Sequence, residues 1–303
     1  MGARPSYQKI FDPATLRKFE QLSLVASQVR AGVMKGERRS SKRGTSIEFA
    51  DYRDYVKGDD LRRVDWNIFA RLERPFIKLL EEEEDLSVHF MIDSSGSMDW
   101  PRGGANRDHH KYVWSLRGLA GLAYLSLATG DNVQITALRQ EKVQKWGPHR
   151  GRPYALPMLS ALEKFYTRGD TPFDALLKDY ALRTTRAGLC IIFSDMMTPT
   201  YRDGLSALQG RGFEVALIHV LSPDEVNPPL TGDLRLMDVE TGVPQEVTID
   251  GGMIQLYQER LLAWRQEIGE FCLRRGVHYV PIETSTPWEE LILYNLRRLG
   301  VVK

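Results

Sequence analysis

Short apolar runs alternate with amphipathic stretches along the chain from residue 86 onward. The runs are rich in β-branched and aromatic residues and are bounded by glycine and polar residues, which predicts buried strands. Strands are predicted at 86–93, 131–138, 187–195, 213–221 and 277–283, and helices at 110–130, 155–167, 171–184, 202–212, 253–276 and 288–300. Because such alternation is typical of parallel sheets, we predict an α/β fold: a mainly parallel, Rossmann-like sheet with helices on both faces.

The residues before this region follow a different pattern. Residues 14–35 carry apolar positions at roughly helical spacing, which predicts an N-terminal helix. Residues 36–85 are dense in charge and contain several aromatic residues, so we expect an ordered but mostly irregular segment. We therefore predict a first part, 1–85, packed on a main domain, 86–303, which carries a hairpin insertion near 233–249.

Composition and charge exclude several classes of protein. With 42% hydrophobic residues and a formal net charge of +1, the chain has no global attraction to nucleic acid or to an anionic membrane. Cys190 and Cys272 lie far apart in apolar sequence, as expected of reduced core thiols. Because we find neither a long apolar span nor the apolar core of a signal peptide, we expect a cytoplasmic protein with no integral membrane segment. Because the net charge is close to zero, we expect no nucleic-acid partner.

Oxygen-bearing side chains occur in three predicted loops. Asp93, Ser95 and Ser97 follow the first strand, Thr171 precedes a helix, and Asp195 ends a later strand. Ligands of open α/β sheets bind beyond the carboxyl ends of the strands. Two carboxylates and three hydroxyls suit a hard divalent cation, with Mg²⁺ favoured and Mn²⁺ or Ca²⁺ also compatible. The hydroxyls would leave such an ion incompletely neutralised, so that a partner's carboxylate could complete its coordination.

Each loop also has a purely local explanation. Asp93 and its serines could form a polar turn at a strand end. Thr171 could cap the helix that starts at Pro172, and Asp195 could cap the turn after its own strand. The prediction of a metal site therefore depends on the three loops taken together.

The motifs DSSGSM (93–98), DTPFDAL (170–176) and FSD (193–195) resemble, in order and spacing, the metal-ion-dependent adhesion site of von Willebrand factor A domains. The resemblance implies a von Willebrand factor A-like fold for the main domain. It also carries the family's metal ligands onto Asp93, Ser95, Ser97, Thr171 and Asp195. The hairpin near 233–249 is an addition to the basic pattern of that family.

The segment SSKRGTSIEFADYRDYVKGDDLRRVDWNIFAR (40–71) resembles the signature of a bacterial family, domain of unknown function 58, in which it precedes a von Willebrand factor A-like region. This resemblance extends from about residue 31 to the end of the chain. Members of the family commonly accompany MoxR-type AAA+ ATPases. The resemblance therefore implies a metal-dependent protein–protein interaction module, an adaptor that works with such an ATPase in the assembly or maturation of other proteins.

The charged residues of this segment allow two interpretations. They could form a structural clasp of paired arginines and carboxylates around aromatic side chains, or a recognition surface for the partner. We weigh the clasp above the recognition surface. The candidate residues are Glu48, Arg53, Asp59, Asp60, Arg62, Asp65 and Trp66.

The sequence contains no motif that favours catalysis. Phosphate-binding GxxxxGK[ST] and nucleophile GxSxG motifs are absent. Ser95 stands where an enzyme of the haloacid dehalogenase type would need its second aspartate. We therefore expect a binding module and not an enzyme. Two alternatives remain: a metal-assisted phosphoester hydrolase, with His109 or Asp99 as its base, and a metal-free oligomeric scaffold.

Overall fold

The computed structural model describes residues 10–21, 46–56, 59, 64–83, 86–102, 109–139, 143–167, 169, 171–237 and 244–292. The chain divides into two compact units, one of residues 33–85 and one of residues 1–32 and 86–303. The N-terminal helix α1, described over 13–21, thus belongs to the larger unit and not to a separate first part. The remainder of the predicted helix, residues 22–35, lies outside the described residues.

The smaller unit contains a two-stranded antiparallel sheet and a short helix. β1 (Ser46–Asp54) pairs with β2 (Phe76–Glu83), and α2 (Trp66–Leu72) lies between them in sequence. Asp65 begins α2, because its side chain accepts hydrogen bonds from two backbone N–H groups of the first turn, at 2.9 and 3.2 Å. The structure thus has two strands and a helix in a segment that the sequence predicts to be mostly irregular. These strands carry many charged residues, so they lack the apolar periodicity by which strands are recognised.

The larger unit is built around a six-stranded sheet. Its elements after α1 are β3 (Ser87–Asp93), α3 (Lys111–Ala128), β4 (Asn132–Leu138), β5 (Gln144–Arg150), α4 (Ala155–Leu162), α5 (Phe173–Arg183), β6 (Leu189–Ser194), α6 (Arg202–Gly210), β7 (Glu214–Leu221), α7 (Pro223–Val226), β8 (Gly232–Met237), β9 (Pro244–Ile249), α8 (Gly251–Arg275), β10 (His278–Glu283) and α9 (Trp288–Glu290). β8 and β9 form the predicted hairpin as a separate antiparallel pair.

The strand order is β10-β7-β6-β3-β4-β5, and every neighbouring pair is parallel except β4 with β5. The first strand of the sheet is therefore central, and the chain winds outward from it first to one side and then to the other. This is the doubly wound α/β arrangement that the sequence predicts. β5 was not predicted, because its Gly147 and Pro148 are unusual inside a strand and are tolerated here at the edge of the sheet.

Alternate strand residues face two separate apolar layers, as the period of a strand requires. Val88, Phe90 and Ile92 of β3 belong to one layer, which contains residues of α1, α3, α4 and α9. Met91 belongs to the other layer, which contains residues of α5, α6 and α8 together with both free cysteines. The sheet is thus covered by helices on both faces.

Aromatic contacts fix the N-terminal helix to the first layer. Phe19 is fully buried, and its ring centroid lies 5.8 Å from that of Tyr124 and 5.2 Å from that of Trp288. These contacts explain why α1 belongs to the larger unit. Among the residues that the structure describes, no helix combines the length and the apolar character needed to cross a membrane.

His89 makes the stability of the fold depend on pH. This residue is buried, and its Nδ1 lies 2.7 Å from the Tyr180 hydroxyl. Burial lowers the pKa of His89 to about 4. The unfolded chain therefore binds a proton near pH 6.5, whereas the folded chain does not, so acid favours unfolding. The contribution of His89 is fully present above that pH and is lost as the pH falls toward 4.

We predict that the free energy of unfolding falls by about 2 kcal/mol less between pH 7 and pH 5 in a His89→Gln variant than in the wild type. Glutamine retains a polar partner for Tyr180 but does not titrate. Urea denaturation at the two pH values measures the difference. Parallel losses of stability in the two proteins would contradict this explanation.

Candidate metal centre

The site lies where the strand order reverses. β3 and β6 are neighbours in the sheet, and the connections that follow them lead to opposite sides. Asp93 is the last residue of β3, and Asp195 directly follows β6. Such a reversal opens a crevice beyond the carboxyl ends of the two strands. The two predicted carboxylates therefore stand at the place where this fold class binds its ligands.

The first loop is ordered around the Asp93 carboxylate. Asp93 Oδ1 accepts a hydrogen bond of 2.9 Å from the backbone N–H of Ser95, and Oδ2 accepts one of 2.7 Å from the Ser194 hydroxyl. The first bond turns the chain sharply after β3, as an Asx turn does. The Ser95 and Ser97 hydroxyl oxygens then lie 2.9 Å apart. The polar turn is thus present, and it places two candidate ligand oxygens side by side.

The second loop is fixed to the first by backbone contacts. The Gly96 N–H donates to the carbonyl of Gly169 at 2.7 Å. The carbonyl of Leu138, at the end of β4, accepts from the Ser94 N–H at 3.2 Å and from the Thr171 hydroxyl at 3.4 Å. Because one carbonyl is shared, Thr171 lies beside the start of the first loop. It is buried there and does not cap α5, whose N-cap residue is Pro172.

The third loop holds Asp195 in a tight turn. Asp195 is fully buried, and its Oδ1 accepts from the Met197 N–H at 3.0 Å. Met196 between them has φ of +56°, a region that costs a non-glycine residue about 1–2 kcal/mol. Its N–H donates to the Ser194 hydroxyl at 2.9 Å, which stabilises the turn. Strained residues of this kind cluster at functional sites.

A buried lysine completes the cluster, and sequence reasoning missed it. Lys111 is fully buried, and its Nζ donates to Asp195 Oδ2 at 2.6 Å and to Glu225 Oε1 at 2.5 Å. Glu225 in turn accepts from the Ser222 N–H at 2.8 Å as part of the capping box that begins α7. The S-x-x-E pattern of the capping box is visible in the sequence. Nothing in the sequence connects it to a lysine at the start of α3.

The electrostatics of the cluster follow from burial and from the close carboxylates. Burial, together with the nearby charge of Asp195, raises the pKa of Asp93 to about 6, although hydrogen bonds from Ser194 and Ser95 oppose the shift. Burial acts to lower the pKa of Lys111, but Asp195 and Glu225 outweigh it and hold this pKa above its ordinary value. Lys111 is therefore an ammonium ion, and a further cation near Asp93 would relieve the remaining repulsion.

The donor set fits a hard cation. Adjacent ligands of an octahedral ion with metal–oxygen distances of roughly 2.1 Å lie about 3 Å apart. The Ser95 and Ser97 hydroxyl oxygens, at 2.9 Å, already have this separation. Within the described part of the chain, no three His, Cys, Asp or Glu side chains form a metal-binding group. A site here would consequently depend on hydroxyls as ligands, which favours Mg²⁺ over zinc or copper.

The residues proposed for the hydrolytic alternative are engaged elsewhere. Asp99 accepts from Arg102 Nε at 3.3 Å and lies 3.2 Å from the Nε2 of His110, not of His109. His110 also provides the N-cap of α3. The backbone carbonyl of His109 accepts from the Thr284 hydroxyl at 2.7 Å. These contacts give the Asp99 side chain and the His109 backbone a structural role in the loop before α3.

The candidate clasp residues lie in the smaller unit, and the structure describes the side chains of three of them. Asp59 accepts from the Val56 N–H at 2.9 Å, and Asp65 caps α2. Trp66 is 60% exposed and packs edge-on against Phe69. Trp66 is therefore not the buried centre that a clasp requires. The side chains of Glu48, Arg53, Asp60 and Arg62 lie outside the described residues.

The fold and the strand-end cluster define a doubly wound α/β protein with a candidate cation site at its switch point. The model of the family "protein of unknown function DUF58" matches residues 51–266. The chain belongs to this family.

Three mycobacterial relatives extend the comparison. The chain is 26% identical over 287 residues to Rv1480 of Mycobacterium tuberculosis and to Mb1516 of Mycobacterium bovis, alignments that cover 92% of this chain and 88% of each relative. It is 33% identical over 124 residues to MAV169 of Mycobacterium avium, which covers 40% of this chain and 70% of that protein. The similarity to the first two therefore extends over nearly the whole chain.

Solved structures show more distant similarity. BatB from Bacteroides thetaiotaomicron is 13% identical, with a TM-score of 0.42 over 71% of this chain and 99% of its own. An aerotolerance-related membrane protein from Bacteroides fragilis, also 13% identical, gives 0.44 over 70% and 99%. The pilus adhesin SpaC from Lactobacillus rhamnosus GG, 11% identical, gives 0.40 over 73% and 31%. Because these TM-scores lie below 0.5, the fold assignment rests on the strand order described above.

We predict that Ser194→Ala lowers the free energy of unfolding by about 1–3 kcal/mol, because it removes a hydrogen bond from the buried Asp93 carboxylate. Urea denaturation in EDTA measures this loss without any contribution from metal. Ser206→Ala is the matched control, since the Ser206 hydroxyl bonds only within the exposed surface of α6, and it should change stability by less than about 0.5 kcal/mol. Equal stabilities of the two variants would contradict the role given to Ser194.

Proposed function

We propose that this edge of the sheet binds a divalent cation, Mg²⁺ in the first place, and presents it to a carboxylate of a protein partner. The observation that carries the proposal is the convergence of three loops. Asp93 and Asp195 are buried at neighbouring strand ends, the Ser95 and Ser97 hydroxyls are paired, and Thr171 reaches the same edge. In this function the hydroxyls bind the ion, and the carboxylates supply charge and orientation. Neutral hydroxyl ligands leave the ion attractive to a further anion.

Exposed apolar side chains on the same loops favour a protein as the partner. Met197, two residues after Asp195, is 42% exposed, and Trp100, at the end of the first loop, is 36% exposed. Protein-binding surfaces are enriched in methionine and aromatic side chains. We therefore propose a partner segment in which an acidic residue has an apolar neighbour.

The family resemblance supplies the candidate partner. We propose an adaptor function with a MoxR-type AAA+ ATPase, in which the ion-bearing edge captures either the ATPase or the protein on which the ATPase acts. The support for this choice is the association of such ATPases with this family. Purified ATPase and purified adaptor, mixed with Mg²⁺ or with EDTA, provide the direct test. Equal capture in both buffers would exclude a metal-dependent interaction.

We predict that Ser95→Ala weakens Mg²⁺ binding by at least about tenfold, because a direct oxygen ligand is lost. Ser94→Ala is the matched control, since the Ser94 hydroxyl lies against the Ile92 carbonyl and the Tyr112 hydroxyl, at 3.4 Å from each, and is not one of the proposed ligands. Isothermal titration calorimetry of the three proteins measures the affinities. If Ser95→Ala binds Mg²⁺ as tightly as Ser94→Ala, the assigned coordination is wrong.

We predict that Met197→Ser weakens partner capture several-fold while leaving Mg²⁺ affinity unchanged. The substitution alters only an exposed apolar side chain beside the site and none of the proposed ligands. Leu182→Ser provides the control, since Leu182 is 76% exposed at the C-terminal end of α5, whereas Thr171 precedes its N-terminal end. Pull-down with the purified ATPase, together with calorimetry, separates the two effects. Capture that is equally strong with both variants would remove Met197 from the interface.

A further inference from the structure

Lys111 occupies a position that a helix does not normally give to a lysine. It is the first residue of α3, where the helix dipole disfavours positive charge. It is also fully buried, although lysine is rarely buried unless it is paired. Two unfavourable terms at one residue require a specific compensation. That compensation is the pair of carboxylates at 2.6 and 2.5 Å, from Asp195 and Glu225.

The two carboxylates that bond to Lys111 belong to different parts of the fold. Asp195 belongs to the three-loop cluster, whereas Glu225 lies in the first turn of α7 and accepts from the N–H of Ser222. The backbone carbonyl of Glu225 also accepts from the Tyr257 hydroxyl of α8 at 2.5 Å. Lys111 thus joins Asp195 to a segment that carries none of the proposed ligands.

We propose that Lys111 is a built-in counter-ion that sets the affinity of the site for its cation by neutralising Asp195. This inference rests on the proposed function and deepens it. A fixed ammonium beside Asp195 repels an incoming cation and engages one oxygen of that carboxylate. Glu225 in turn balances part of the ammonium charge. The ion is consequently held weakly until a partner carboxylate adds negative charge, so that ion and partner bind cooperatively.

Substitutions at Lys111 and at Glu225 should have opposite effects on the affinity for Mg²⁺. Lys111→Met removes the repelling charge and frees Asp195 Oδ2, so Mg²⁺ should bind on the order of tenfold tighter or more. Glu225→Gln retains a polar contact to Lys111 but leaves the ammonium less balanced, so Mg²⁺ should bind several-fold more weakly. A purely structural pair would make both variants less stable without moving affinity in opposite directions.

The experiment is calorimetric titration of the full chain with MgCl₂, accompanied by thermal unfolding with and without Mg²⁺. Lys111→Met should unfold at lower temperature than the wild type in EDTA, since it leaves two carboxylates unpaired, and should gain more from Mg²⁺. Lys178→Met is the matched control. Lys178 also contacts two carboxylates, those of Asp174 at 3.5 Å and Asp203 at 2.9 Å, but it is exposed, and this variant should bind Mg²⁺ as the wild type does.

The outcomes separate this inference from the proposed function. If the wild type binds Mg²⁺ and Lys111→Met binds it equally or more weakly, the counter-ion role is wrong while the metal site stands. Should Lys111→Met fail to fold even with Mg²⁺, Glu225→Gln decides, and unchanged or tighter binding by that variant overturns the role. If neither the wild type nor Lys111→Met binds Mg²⁺ at millimolar concentration, the counter-ion role and the proposed function both fail.

Discussion

Asp93 and Asp195 stand at the ends of two neighbouring parallel strands in the centre of the sheet, and both are buried. Like charges in such a place repel each other and are also deprived of water. Much of the surrounding structure offsets this cost. The Ser194 hydroxyl and the Ser95 N–H bond to one carboxylate, and the Lys111 ammonium bonds to the other. The strained turn after β6 holds Asp195 in place. The ion pair of Lys111 in α3 with Glu225 in α7 holds the ammonium beside it.

The central position of these strands explains which parts of the molecule could be predicted from the sequence. Buried parallel strands must be continuous in apolar residues, so β3, β6 and β7 were recognisable without any structure. The carboxyl ends of neighbouring strands lie together, so the loops of Asp93 and Asp195 were expected to meet, and the structure brings them to one edge. Their ability to hold an ion remains the proposal made above.

Other parts of the structure have no comparable signal in the sequence. β5 tolerates glycine and proline because it lies at the edge of the sheet, and β1 and β2 pair through strands rich in charge. Lys111 appears in the sequence as a lysine at a helix start, which normally reaches solvent. Its second partner, Glu225, lies 114 residues away. Only the three-dimensional structure shows that the two side chains meet.

A site of this kind would bind more through its partner than by itself. The hydroxyls contribute no charge, and Lys111 already neutralises one of the two carboxylates. The ion would then depend on an outside acid, which suits a reversible interaction better than permanent metal storage. The exposed Met197 and Trp100 beside the site would supply apolar area for the same partner. The DUF58 fold provides the edge of the sheet, and the three loops would provide the ligands for the ion.

We propose that hydroxyls and carboxylates from three loops hold a divalent cation at this sheet edge. Crystals grown with Mn²⁺ and measured for anomalous scattering test it most directly, since Mn²⁺ shares the oxygen preference of Mg²⁺ and can be located by its signal. We expect an anomalous peak bounded by Ser95, Ser97 and Thr171, with Asp93 and Asp195 behind them. An anomalous map with no peak at these residues, from crystals saturated with Mn²⁺ and a carboxylate ligand, would contradict it.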